Sequence, residues 1–114
     1  MSDCLFCKMV SGEIQPDTVY EDDDILAFND INPHAPTHVL IIPKRHIATL
    51  NDTSTDDTEL MGRLTMVATG LAKEAGFADD GYRIVMNCNS AAGQSVFHIH
   101  MHLLAGRSMS WPPG

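Results

Sequence analysis

Apolar positions recur along the chain with two different periods. Leu60, Leu64, Val67, Leu71 and Ala75 fall on one stripe, and Met61, Ala68 and Ala72 widen it. Steps of three and four predict one long amphipathic helix. Ser54 or Thr55 suits its cap, Asp56, Asp57 and Glu59 suit its positive end, and Gly76 suits its stop. A shorter helix is expected over residues 3–11, where Leu5, Phe6, Met9 and Val10 have helical spacing before Gly12. Residues 18–20, 25–29, 37–43 and 82–87 are instead rich in β-branched and aromatic side chains between turn residues, and read as strands. A fifth strand is expected over residues 97–103, which alternate strictly. Phe97, Ile99, Met101 and Leu103 are apolar; His98, His100 and His102 lie between them. Period two puts the apolar set on the core and the three imidazoles together on the opposite face. The expected fold is one α+β domain over residues 1–114. It has a mainly antiparallel sheet of about five strands, and the long helix packs on the apolar face, away from the histidines.

Composition narrows the function. Fifteen acidic residues against seven basic ones give a net charge of −8, the wrong sign for a nucleic-acid surface. A single nucleotide is not excluded, because local donors can hold one phosphate against an unfavourable overall field. The longest clean apolar run, Val39 to Ile42, is far too short for a membrane span. No apolar leader opens the chain, so a cytoplasmic protein is expected. Three cysteines, an odd count, do not make a disulfide framework.

Half of the six histidines sit within residues 98–102. Such a row suits either metal ligation, with His98, His100 and His102 on one ion, or covalent catalysis by one neutral imidazole. Gly93, Gln94 and Ser95 immediately upstream favour covalent catalysis, since they offer donors to anionic oxygens. A non-catalytic nucleotide-binding module is the third alternative. His34 is expected to be exposed and uninvolved.

His98-Ile99-His100-Met101-His102-Leu103-Leu104 resembles the signature of the histidine triad (HIT) family. Residues 27–33, 35–38, 41–44 and 81–83, with the terminal Trp111-Pro112-Pro113-Gly114, resemble its Hint branch. The resemblance implies hydrolysis of the P–N bond of purine nucleoside phosphoramidates, with AMP or GMP as product, through a nucleotidyl-histidine on His100. It places His38 beside the central imidazole and gives Asp30 the ribose hydroxyls. Ile31, with Phe28 and Leu40, would meet the base. Asn87, His102 and the Gly93-Gln94-Ser95 segment would meet the phosphate, and Ser95 would relay a proton to the leaving amine. No cofactor is required for this chemistry. A structural zinc would fall to Cys4, Cys7, His46 and His98, as in zinc-containing members of the wider superfamily. A homodimer is implied, with the Trp111 tail near the partner's site.

Overall fold

The acidic run at residues 21–24 turns the chain. Asp22 Oδ1 accepts hydrogen bonds from the backbone N–H groups of Asp24 (2.8 Å) and Ile25 (2.9 Å), the usual aspartate substitute for a backbone turn. It joins β1 (Thr18–Glu21) to β2 (Ile25–Asn29) as an antiparallel pair. In the computed structural model, which describes residues 3–114, these strands begin a five-stranded sheet. β3 (Thr37–Pro43), β4 (Arg83–Val85) and β5 (Met101–Ala105) complete it in the order β1-β2-β3-β5-β4. Every neighbouring pair is antiparallel. A short helix, α1 (Leu5–Ser11), and a long one, α2 (Thr58–Ala75), cover opposite faces. This is the α+β architecture that the periodicity implies. No described helix is long and apolar enough to cross a membrane.

Register creates the two faces. Ile25, Ala27, Val39, Ile41, Met101 and Leu103 alternate onto one side, and Leu64 and Ala68 of α2 close over them. Truncation of a side chain as buried as Leu64, at 0% exposure, costs roughly 2–5 kcal/mol. Leu26, Phe28, Leu40 and Ile42 take the other side together with Phe6 of α1. Leu40 stands opposite His102, so the imidazole side is the α1 side.

Caps fix the helix ends. Cys4 Sγ accepts from the Cys7 N–H at 3.4 Å and starts α1. Ser54 caps a 3-10 turn over Thr55–Asp57 that leads into α2, rather than α2 itself. Gly12 and Gly76 end the two helices at φ 86° and 87°, a conformation that glycine adopts without steric cost.

Two strands are shorter than their patterns. β4 has three residues in place of the expected 82–87. β5 starts at Met101 rather than at residue 97, and Pro43 explains why. Ile41 opposite Met101 is the last rung between β3 and β5; two residues on, Pro43 has no N–H to extend the ladder. The chain before β5 therefore leaves the sheet: the Ile99 N–H bonds the Ile47 carbonyl at 2.8 Å, and residues 96–98 bend. Phe97, expected in the core, is 47% exposed. Burial of the apolar set holds from Ile99 onward.

Candidate active site

The three imidazoles occupy three environments rather than one open face. His98 is fully buried, and its Nε2–H donates to the Pro43 carbonyl at 2.7 Å. Its Nδ1 is left with a lone pair. That atom lies 3.4 Å from Cys4 Sγ, 3.5 Å from Cys7 Sγ and 3.3 Å from His46 Nδ1. Cys7 Sγ is 3.3 Å from His46 Nδ1. A tetrahedral zinc with Zn–N near 2.05 Å and Zn–S near 2.3 Å needs N···N edges of about 3.3 Å and S···N edges of about 3.5 Å. The four side chains fit that cage. The bond to the Pro43 carbonyl fixes the His98 tautomer, as an outer partner would for a ligating histidine.

His100 is buried within its neighbours but reaches a cleft. Its Nδ1 is 2.9 Å from the His98 carbonyl. A carbonyl only accepts, so the proton is on Nδ1 and Nε2 keeps its lone pair.

His102, in β5, is the opposite case. Its Nδ1 is 2.9 Å from His38 Nε2, and His38 Nδ1 is 3.0 Å from the His34 backbone N. The amide N–H can only donate, so the His38 proton is on Nε2 and is given to His102 Nδ1. His102 then carries its own proton on Nε2. A bare ring nitrogen and a donor ring nitrogen thus belong to adjacent imidazoles, centroids 5.0 Å apart. His38 serves the third imidazole, not the central one as expected. His34 is exposed, yet its backbone takes part.

Burial, reinforced by His100 and His38, pushes His102 down from 6.5 to about 4. Burial likewise lowers His38. The unfolded chain therefore takes up protons near the ordinary value of 6.5 that the folded chain refuses until about pH 4. Stability from His102 is full above that upper value and is lost as pH falls through the window, and the lowered His38 adds to the loss in the same direction. The urea midpoint is expected to drop steadily from pH 7 to about 4.5, and His102→Gln should flatten the slope. A wild-type midpoint constant over that range would refute the assignment.

Asp30, His38 and His102 also bring ligand-type atoms close together. His38 Nε2 carries a proton, however, and has no lone pair for an ion; it donates that proton to His102, with the Asp30 carboxylate 3.5 Å away. The alternative of one ion on His98, His100 and His102 lacks its first ligand. His98 Nδ1 turns to the thiols and its Nε2 is spent on the Pro43 carbonyl, so neither ring nitrogen is left to share an ion with His100 and His102.

The cleft encloses about 330 Å³. Asp30, Ser95, His100 and His102 supply its polar side. Phe28, Leu40 and Val96 line it from the sheet side, and Leu5, Phe6 and Met9 of α1 form the facing wall. Phe6 meets His100 edge-on at 5.1 Å. Ile31 stands at the rim, 96% exposed. Asp30 Oδ1 accepts the Asn32 N–H at 2.9 Å, and Oδ2 lies 3.5 Å from His38 Nε2.

Other expected phosphate contacts are placed differently. Gln94 cannot donate to a ligand. Its Nε2 bonds the Ala48 and Val96 carbonyls (2.8 and 3.1 Å), its Oε1 takes the Asn89 N–H (2.8 Å), and its own N–H bonds the Asn89 carbonyl (3.1 Å). It braces the loop. The Gly93 N–H is likewise spent on the Ser90 carbonyl at 3.0 Å. Gly93 closes a 3-10 turn at φ 89°, a backbone role. Asn87 is half-buried beyond β4 and does not line the cleft. The wall from α1 was not anticipated, although the apolar spacing of Leu5, Phe6 and Met9 was its signal. A second groove, of about 340 Å³, lies beside the start of α2. Its Arg63, Arg45 and Lys44 are engaged by Asp22, Asp24, Asp57 and Glu21, so it presents no uncompensated charge of theirs to a ligand.

Residues 11–109 match the HIT domain. The purine nucleoside phosphoramidase of Escherichia coli K12 is 50% identical over 105 residues, which cover 92% of this chain and 88% of that protein. A HIT-like protein of Synechococcus elongatus is 46% identical over 98% of this chain and 97% of its own length. The crystal structure of a HIT family hydrolase from Legionella pneumophila superposes with a TM-score of 0.96 at 57% identity, covering 98% of this chain and 100% of that one. A histidine triad protein from Clostridium difficile gives 0.93 at 44% identity, with 96% of each chain covered. The chain belongs to the HIT family and is one of its hydrolases.

Proposed function

We propose that the protein hydrolyses the P–N bond of purine nucleoside phosphoramidates, AMP-linked amines foremost, through a nucleotidyl-histidine on His100. The observation that carries this reading is the bond from His100 Nδ1–H to the His98 carbonyl at 2.9 Å. It leaves Nε2 as a nucleophilic lone pair on a ring that reaches the cleft. Nε2 attacks the α-phosphorus in line and a P–N bond to His100 forms. The substrate's own P–N bond breaks, and the amine departs with a proton relayed by Ser95. Water then attacks the same phosphorus, releases the nucleotide and restores neutral His100. The Nε2–H of His102 meets charge that develops on a phosphoryl oxygen. Asp30 Oδ2 suits the ribose hydroxyls, and the wall of Phe6, Phe28, Leu40 and Ile31 suits a purine. The substrate class is that named for the relative of 50% identity. Acid quench during turnover of adenosine phosphoramidate, followed by peptide mass spectrometry, tests the intermediate. One nucleotide on the His100 peptide is expected. Turnover without an adduct would remove the covalent step, and AMP binding without turnover would favour the binding-module alternative.

We also propose that Cys4, Cys7, His46 and His98 hold a zinc that staples α1 to the sheet and takes no part in the chemistry. Protein prepared without chelator is expected to contain one zinc per chain by elemental analysis. Its removal should lower the melting temperature; an unchanged melt would end the idea. The exposed edge of β4, with Ile84 at 39% exposure, supports a homodimer. Trp111, 82% exposed, would then reach toward the partner's cleft.

A further inference from the structure

The hydrogen-bond chain that sets the His102 tautomer begins at the His34 amide, in the loop between β2 and β3. That loop is held from the end of β5. Arg107 Nε donates to the His34 carbonyl at 3.0 Å, and Arg107 Nη1 donates to the Ser108 carbonyl at 3.1 Å, which orients the guanidinium. One residue earlier, Gly106 has φ +95°, and a Cβ built there would stand 2.8 Å from Pro36 Cβ. Only a residue without a side chain allows so close an approach in that conformation. The rung between Thr37 and Ala105 closes the same corner. His34 is thus gripped at its own carbonyl and, two residues on, at Pro36.

We propose that Arg107 and Gly106 are positioning residues for the reaction: they hold the His34 amide on His38 Nδ1 and so keep the His102 proton on Nε2, facing the phosphate. This rests on the role of His102 as a phosphoryl donor given above. With the loop released, the His38 proton is no longer excluded from Nδ1. In that form His38 Nε2 becomes an acceptor, and His102 must turn Nδ1–H toward it. His102 then offers a lone pair where the phosphoryl oxygen needs a donor. Asp30 Oδ2, 3.5 Å from His38 Nε2, favours the productive form as well, so loss of the clamp weakens the bias without abolishing it. Arg107 and Gly106 are outside the cleft and Arg107 is exposed, so substitution leaves the cleft walls intact.

The test is long-range 15N–1H spectroscopy of the imidazoles in wild type and Arg107→Ala, beside kcat and KM for adenosine phosphoramidate. Wild type is expected to show both His38 and His102 protonated on Nε2. Arg107→Ala should show mixed tautomers at both and a kcat lowered about three- to tenfold, the scale of one ordinary hydrogen bond, with KM changed less than about twofold. Gly106→Ala should act in the same direction, and Arg107→Lys, which keeps one donor, should recover part of the loss. Unchanged tautomers in Arg107→Ala overturn the proposal whatever kcat does. Mixed tautomers with unchanged kcat overturn the positioning role. A wild type with fixed tautomers but no turnover defeats the proposed reaction, while the spectra still decide whether the clamp exists.

Discussion

His100→Ala is expected to lose phosphoramidase turnover by about ten-thousandfold or more, the scale on which removal of a covalent nucleophile acts. The loss is specific to chemistry. The groups proposed to hold ribose, base and phosphoryl oxygen belong to Asp30, the apolar wall and His102, and all of them survive. AMP affinity should therefore change by less than about tenfold. Alanine also leaves a void beside Phe6 and the His98 carbonyl without its donor. His100→Asn controls for both, because an amide fills part of the space and carries an N–H for that carbonyl. Both variants should release amine at a negligible rate under single-turnover conditions. Either one within tenfold of wild type would show that phosphorus is attacked by something else.

His98→Ala is expected to act on stability instead, with a loss of roughly 3–5 kcal/mol. Its ring has 0% exposure, and Phe6 packs edge-on against it at 5.8 Å. Removal opens a cavity, strips the Pro43 carbonyl of its N–H donor and takes one corner from the sulfur–imidazole cage. Urea denaturation should show the midpoint shift, and elemental analysis should show zinc content falling with it. What remains folded should still turn over, because the His98 carbonyl that orients His100 belongs to the backbone. A variant as stable as wild type yet inactive would reverse these roles for His98 and His100.

Much of this was legible from side-chain spacing. The Leu60–Ala75 stripe specified a long helix and the face that it covers, because burial follows helical period. The apolar runs at 25–29 and 37–43 announced two of the strands. The histidine row was legible as chemistry but not as geometry. Strict alternation implied one strand with one polar face, whereas Pro43 ends the ladder and sends His98 inward to the thiols. Backbone partners were the other blind spot. The His34 amide, the Pro43 and His98 carbonyls and the braces around Gln94 decide where protons sit, and a main-chain group leaves no residue-type signature. Gln94 was misread for the same reason: an amide side chain suits an anion and a loop equally well, and only its neighbours distinguish them.

The first helix has a consequence of its own. At seven residues it is too short to persist alone, so it stays where it is docked. It is bordered by one cysteine and contains another, while Leu5, Phe6 and Met9 look into the cleft. If the proposed zinc and nucleotide both bind, one small peg answers to two occupants, an ion at its base and a nucleobase along its flank. Whatever free energy one occupant lends the other must be returned in equal measure. Alkylation of the sulfurs should loosen the grip on the nucleotide, and a bound nucleotide should slow the alkylating reagent.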